Sequence, residues 1–237
     1  MPHSIKLTRA LVDRLPPRVE SEGPLPDEPT PDAYYTDMAT QLLAQADPSG
    51  LWVFASGSLI WNPRMPVAER RAALIHGWHR SFCLGPMLRF RGSPEAPGQM
   101  LSLDRGGSCH GVALRMEPGN EHADLVSLLQ KEPPRPPSWV RCKTDQGVVR
   151  AIAFTMDRSW VAYCPEGCID EVADKLATSV GTIGTMAEYL LNTVEHLAEV
   201  GIHDSHLWRL QAMVAERLER LPERPADQPS IENAASI

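Results

Sequence analysis

The sequence predicts an α+β fold in which a small mixed or antiparallel β-barrel carries flanking helices. Three observations lead there. Apolar runs of strand length crowd residues 51 to 156, helical apolar periods crowd the residues after Gly167, and strands do not alternate with helices as a doubly wound sheet requires. With 237 residues, 43% of them hydrophobic, the chain can bury one sizeable core and still carry tails.

Taken in order, the first stretch repeats proline at positions 16, 17, 24, 26, 29 and 31. Prolines at that density predict an extension over residues 1–48, draped on the domain or loose, with no continuous helix or central strand beyond about residue 15. Residues 51–55, 72–84, 99–104 and 109–116 read as strands, and Asp104-Arg-Gly-Gly-Ser108 reads as the turn of a hairpin joining the last two. A second hairpin over 139–144 and 148–156 turns at Asp145-Gln-Gly147. A short helix at about 120–131 places Leu125, Leu128 and Leu129 on one face.

Three longer helices follow at about 168–179, 184–199 and 204–221. The middle one sets Leu190, Leu191, Val194, Leu197 and Ala198 in a stripe that packs on the sheet, with Glu188, Asn192, Glu195 and Glu199 opposite. Gly201 ends it, Asp204 can cap the next helix, and Leu207, Leu210 and Val214 begin its stripe. The reading divides the chain into the extension, one domain over 49–221, and a polar tail over 222–237 expected to be disordered.

Charge narrows the class of partner. Against 30 acidic residues stand 23 basic ones, a net charge of −7, which offers no field for nucleic acid or an anionic membrane. No window is long and apolar enough to span a bilayer, and the start MPHSIKLTRALVDRL lacks the apolar core of a secretory signal, so the expected location is the cytosol. Five scattered cysteines suit reduced thiols better than a disulfide framework. Cys164-Pro-Glu-Gly-Cys168 has no second pair nearby to complete a zinc site, so no metal is expected.

Chemistry concentrates in a few places. In Trp52-Val-Phe-Ala-Ser-Gly-Ser-Leu-Ile-Trp-Asn-Pro63 an apolar strand runs out into small residues and then resumes. A loop of small residues, Ala55-Ser56-Gly57-Ser58-Leu59, can point successive N–H groups into one concavity and seat a carboxylate, with Val53 and Phe54 of the strand before it counted among the candidate substrate-binding residues; its other reading is a β-bulge in which Gly57 only permits a bend. The nucleophile pattern G-x-S-x-G is absent, so Ser58 has no support as an acyl-enzyme nucleophile. His76 and His79 read as opposite faces of one strand and cannot readily share a metal. Arg91-Gly-Ser-Pro-Glu-Ala-Pro-Gly98 is a loop that either covers a site or only connects elements. Glu132 stands where the chain leaves a helix, before Pro133-Pro134. The negative end of a helix raises a carboxyl pKa, which suits a base, while the plainer reading is a solvated helix-end glutamate. Gly181-Thr-Ile-Gly184 lacks the lysine of a phosphate loop and reads as a helix junction.

The motifs WVFASGSLIWNP, Ala68-Glu-Arg-Arg71, His76-Gly-Trp-His-Arg-Ser-Phe-Cys83, Arg91-Gly-Ser-Pro94, Leu103-Asp-Arg-Gly-Gly-Ser-Cys109 with Gly111-Val-Ala113, Thr193-Val-Glu-His-Leu197 and Gly201-Ile-His-Asp204 resemble, in order, the ChaC-like γ-glutamylcyclotransferases over about residues 51–218. The resemblance implies a mixed barrel with flanking helices and cofactor-free cleavage of glutathione to 5-oxoproline and cysteinylglycine. It also implies that the Ser56-Gly-Ser-Leu59 loop holds the γ-glutamyl group, that Glu132 is the catalytic base, and that Tyr189 lies near the pocket, where its other reading is a core tyrosine. Ser56 stands where the family usually has tyrosine, and Pro133-Pro-Arg-Pro-Pro137 replaces a glycine and tyrosine turn. Beside glutathione cleavage these departures leave two readings: a cyclotransferase for another γ-glutamyl amine, and a γ-glutamyl-binding module without turnover.

Overall fold

The computed structural model describes residues 4–20, 23–24 and 29–224. In chain order its elements are α1 (Arg9–Val12), α2 (Asp32–Ala44), β1 (Trp52–Ala55), β2 (Val67–Met87), β3 (Gly98–Met116), α3 (Glu121–Leu129), β4 (Ser138–Thr144), β5 (Gly147–Ala153), α4 (Ile169–Thr178), β6 (Val180–Gly181), β7 (Gly184–Thr185), α5 (Met186–Glu199) and α6 (Ser205–Leu218). They gather into two compact units, one of Asp27–Ser81 with Ser102–Trp160, the other of Phe82–Leu101 with the N-terminal segment and the residues from Val161 onward.

The first unit is built on a closed barrel of strand order β1-β3-β2-β4-β5. β1 runs antiparallel to β3, from Trp52 opposite Arg115 to Ala55 opposite Val112. It also pairs in parallel with β5, Trp52 opposite Ala151, and this pair makes the sheet mixed. The β4–β5 hairpin closes at Thr144 opposite Gly147, where the sequence places it. Alternate residues fill the barrel, among them Phe54, Ile75, Leu103, Ala113, Cys142 and Ala151. Burial pushes the Cys142 thiol up to about 12, so it packs as a small apolar group.

Three expectations fail here for one physical reason each. Asp104–Ser108 is no hairpin turn, because β3 runs unbroken from Gly98 to Met116. Gly106 and Gly107, at φ +108° and +65°, kink the strand instead, and His79 Nδ1 lies 3.1 Å from the Gly106 carbonyl; paired glycines serve a bulge as well as a turn. In β2, Gly77 at φ +86° slips the pleat by one residue. Ala73 and Ile75 point inward before it, and Trp78 and Arg80 are the packed residues after it. His76 and His79 therefore share the outer side of the strand, where alternation alone places them on opposite faces. Finally, the proline-rich stretch contains a 13-residue helix, α2. Pro31 is its N-cap, a place where a missing N–H costs nothing. α2 packs on α3, and Gln130 Nε2 donates to Asp32 Oδ1 at 3.1 Å.

In the second unit α5 is wrapped by α4, α6 and α1. Between α4 and α5 the predicted helix junction is a two-stranded hairpin, Val180 opposite Thr185. Glu188, assigned by periodicity to the polar face of α5, is 9% exposed. Arg91 Nη1 donates to Glu188 Oε2 at 2.9 Å and to the Thr185 carbonyl at 2.8 Å, and Arg9 Nη1 donates to Glu188 Oε1 at 3.2 Å. Asp204 caps α6 as predicted, accepting from the Leu207 N–H at 3.2 Å. Asp204→Ala is expected to cost about 1 kcal/mol, read as a lower denaturant midpoint with an unchanged slope. Among the described residues no helix is long and apolar enough to cross a membrane. Of the predicted tail, residues 225–237 lie outside the described residues.

Candidate active site

The seat proposed from sequence begins inside the barrel wall. Val53, Phe54 and Ala55 are 0%, 1% and 0% exposed, so their side chains are core and only their backbone can meet a ligand. Gly111 lets β3 close on this end of β1: a Cβ there would stand 2.4 Å from the Ala55 carbonyl and 2.6 Å from the Phe54 ring. After Ala55 the chain leaves the ladder, and Ser58–Ile60 wind into a 3₁₀ turn with the Leu59 side chain buried beneath it. The Gly57 and Ser58 carbonyls take the N–H groups of Ile60 (2.9 Å) and Asn62 (2.8 Å). The N–H groups of Gly57 and Ser58, at the head of the turn, donate to no acceptor among the described residues. Loop and strand-end geometry thus supply paired donors beside Ser56, whose side chain is partly exposed.

Two arginines of β2 hold this loop by its carbonyls. Arg80 Nε donates to the Ser56 carbonyl at 2.5 Å, and Arg70 Nη1 to the Ile60 carbonyl at 2.9 Å. In the sequence Arg70 and Arg80 stand out only as members of the Ala68–Arg71 and His76–Cys83 motifs. Their partners are carbonyls, so the path of the loop is needed to see the pairing.

Glu132 lies two residues past Gln130, the C-cap of α3, in the turn before Pro133. Although the residue keeps part of its surface, its carboxyl is crowded by protein, and burial pushes it up to about 7. The positive charge of Arg64 opposes that rise without cancelling it. Arg64 stands at φ +61° just beyond the seat turn. Beyond Glu132, the Pro134 carbonyl accepts from the Tyr34 hydroxyl of α2 at 3.5 Å, and Arg135 stacks on Trp160 at 4.9 Å. Pro133, Arg135, Phe154 and Trp160 line a small cavity there.

Tyr189 belongs to the second unit. It is 3% exposed within α5, and the Arg91 guanidinium lies 5.6 Å from the centre of its ring. Among the described residues no three His, Cys, Asp or Glu side chains converge as a metal site requires. The cysteines are free thiols, Cys168 capping α4.

The sequence profile of the ChaC-like proteins matches residues 51–217, which take in the barrel, the seat, Glu132 and α4–α6. The chain belongs to the ChaC-like family. Among curated relatives, the glutathione-specific gamma-glutamylcyclotransferase of Escherichia coli is 33% identical over 174 residues, covering 72% of this chain and 75% of that one. Gamma-glutamylcyclotransferase 2-3 of Arabidopsis thaliana is 28% identical over 189 residues, 75% of this chain and 94% of its own. The crystal structure of the yeast γ-glutamyl cyclotransferase specific to glutathione superposes with a TM-score of 0.63 at 21% identity, covering 70% of this chain and 96% of that one. That likeness establishes the fold of this ChaC-like chain as the mixed barrel with helices that its sequence predicts.

Proposed function

We propose that the protein is a glutathione-specific γ-glutamylcyclotransferase with Glu132 as its general base. The observation that carries the role of Glu132 is its carboxyl held near 7. An ordinary glutamate near 4.3 is badly matched to a substrate α-amine near 8, and a base near 7 is matched to within about one unit. Glu132 takes a proton from the α-ammonium, and the freed nitrogen attacks the γ-carbonyl carbon of the same molecule. A C–N bond closes the five-membered ring, the ring nitrogen gives up its second proton as the amide bond to cysteine breaks, and the two protons, the first by way of Glu132, end on the departing nitrogen, which leaves as an ammonium. Glutathione becomes 5-oxoproline and cysteinylglycine without water or cofactor. The step is intramolecular, so orientation supplies much of the rate, with effective molarities of about 10⁵ M or more within reach.

The seat supports the same reading. Paired N–H groups of Gly57 and Ser58 suit the α-carboxylate of a γ-glutamyl group. The family and the named relatives favour glutathione over other γ-glutamyl amines and over binding without turnover.

The test is 5-oxoproline release from millimolar reduced glutathione across pH 5.5 to 8.5. A base near 7 must be ionised to act, so kcat/KM is expected to fall about tenfold per pH unit below 7 and to level above it. An active enzyme whose kcat/KM stays level down to pH 5.5 would remove Glu132 from this role. No product at any pH would move the substrate to another γ-glutamyl amine, or the protein to the binding module.

A further inference from the structure

Arg80 is buried, 6% exposed, where a guanidinium is costly unless its donors are placed. Two of them go to main-chain carbonyls at the two sides of the strand end beneath the seat: Nε to Ser56 and Nη2 to His110 of β3. Charge is therefore brought into the barrel wall to hold backbone. A trans peptide carries its C=O and the following N–H on opposite sides. Once Arg80 draws the Ser56 carbonyl toward β2, the Gly57 N–H is turned the other way, and it meets no acceptor among the described residues. A cation on the carbonyl also polarises the amide, which strengthens the N–H as a donor. Arg70 fixes the far end of the loop through Ile60, so the turn cannot rotate about its own axis.

We infer that Arg80 is a positioning residue for substrate affinity: by holding the Ser56 carbonyl from behind, it aims the Gly57 N–H at the α-carboxylate of the γ-glutamyl group. The inference rests on the cyclotransferase reading above. Arg80 touches no substrate. Its effect belongs to ground-state binding of a carboxylate that does not react, so it enters KM and leaves kcat.

The experiment compares wild type, Arg80→Gln and Arg80→Lys for 5-oxoproline release from glutathione, with product inhibition by 5-oxoproline and thermal melting of each. For Arg80→Gln, KM and the inhibition constant of 5-oxoproline are both expected to rise about 10- to 100-fold, with kcat within about threefold. Lysine keeps a cation that can reach one carbonyl, so Arg80→Lys is expected to recover part of both losses. If Arg80→Gln does not fold, Arg80→Lys alone decides: a shared rise in KM and inhibition constant at steady kcat supports the role. A folded variant with unchanged KM overturns it, as does one that loses kcat while KM holds. Wild type that releases no 5-oxoproline defeats the cyclotransferase reading instead; calorimetry of 5-oxoproline on wild type and Arg80→Lys then tests the seat, equal affinities overturning it.

Discussion

Glu132→Gln is expected to lower kcat/KM for glutathione by about 10² to 10⁴-fold, the usual reach of a positioned acid–base group, while making the folded protein more stable at pH 8. The two effects have one origin. Burial raises the carboxyl from 4.5 to about 7, so between those values the folded protein keeps a proton that the unfolded chain releases. Protonation therefore favours folding, its contribution complete below about 4.5 and lost as pH rises through 7. At pH 8 the ionised carboxylate is a burden that an amide of the same shape avoids, by up to about 3 kcal/mol. Denaturant midpoints of the two proteins at pH 5.5 and pH 8 read the difference, which should shrink toward the lower pH. Retained activity, or a variant less stable at pH 8 than at pH 5.5 relative to wild type, would remove Glu132 from the centre of the site.

Glu188→Ala is expected to cost about 2 to 4 kcal/mol. Its carboxylate is 12% exposed and meets Arg91, itself 16% exposed, at 2.9 Å. Removing one partner leaves the other charge desolvated and uncompensated, a larger loss than the net worth of the pair. Arg9, half exposed at 51%, returns to water with little penalty. Because Arg91 also lies over the Tyr189 ring, the variant should loosen that ring as well as α5. Near-ultraviolet circular dichroism would report the first effect beside a denaturant melt. Glu188→Gln, which keeps an acceptor, should lose less than half as much; equal losses in both variants would mean that packing rather than charge holds the site.

The helices were the most legible part of the chain. Each of α3 to α6 lies within a residue or three of its predicted span, because a long apolar period and a cap such as Asp204 or Gly201 act locally. Strand existence was legible too, but strand continuity was not. A glycine at positive φ reads alike whether it turns the chain back or kinks it, and only the partner strand decides, as at Gly106–Gly107 and Gly77. Helix α2 was hidden by counting prolines without asking where they fall, since Pro31 starts a helix that a proline ten residues later would have broken. In the candidate site, the place of Glu132 after α3 and the composition of the Ser56–Leu59 loop marked both as candidates, each beside a plainer reading. Arg70 and Arg80 were not, because their partners are carbonyls, which carry no mark in the sequence. Glu188 was missed for the opposite reason: a charge on the polar side of a helix is ordinarily in water, and only the Arg91 loop covers it.

The second unit draws on both ends of the chain. Gln211 of α6 accepts from the N–H groups of Lys6 and Leu7, and Arg14 donates to the carbonyls of Leu218, Glu219 and Leu221. More than two hundred residues separate the partners in sequence. During synthesis, then, Leu7, Leu11, Val12 and Leu15, all buried in the finished protein, have left the ribosome long before α6 exists to cover them. The barrel strands, complete by Ala153, can close earlier. Closure of so long a loop is slow relative to local helix formation, which makes docking of the N-terminal segment a late event of folding, its apolar residues uncovered until α6 is made.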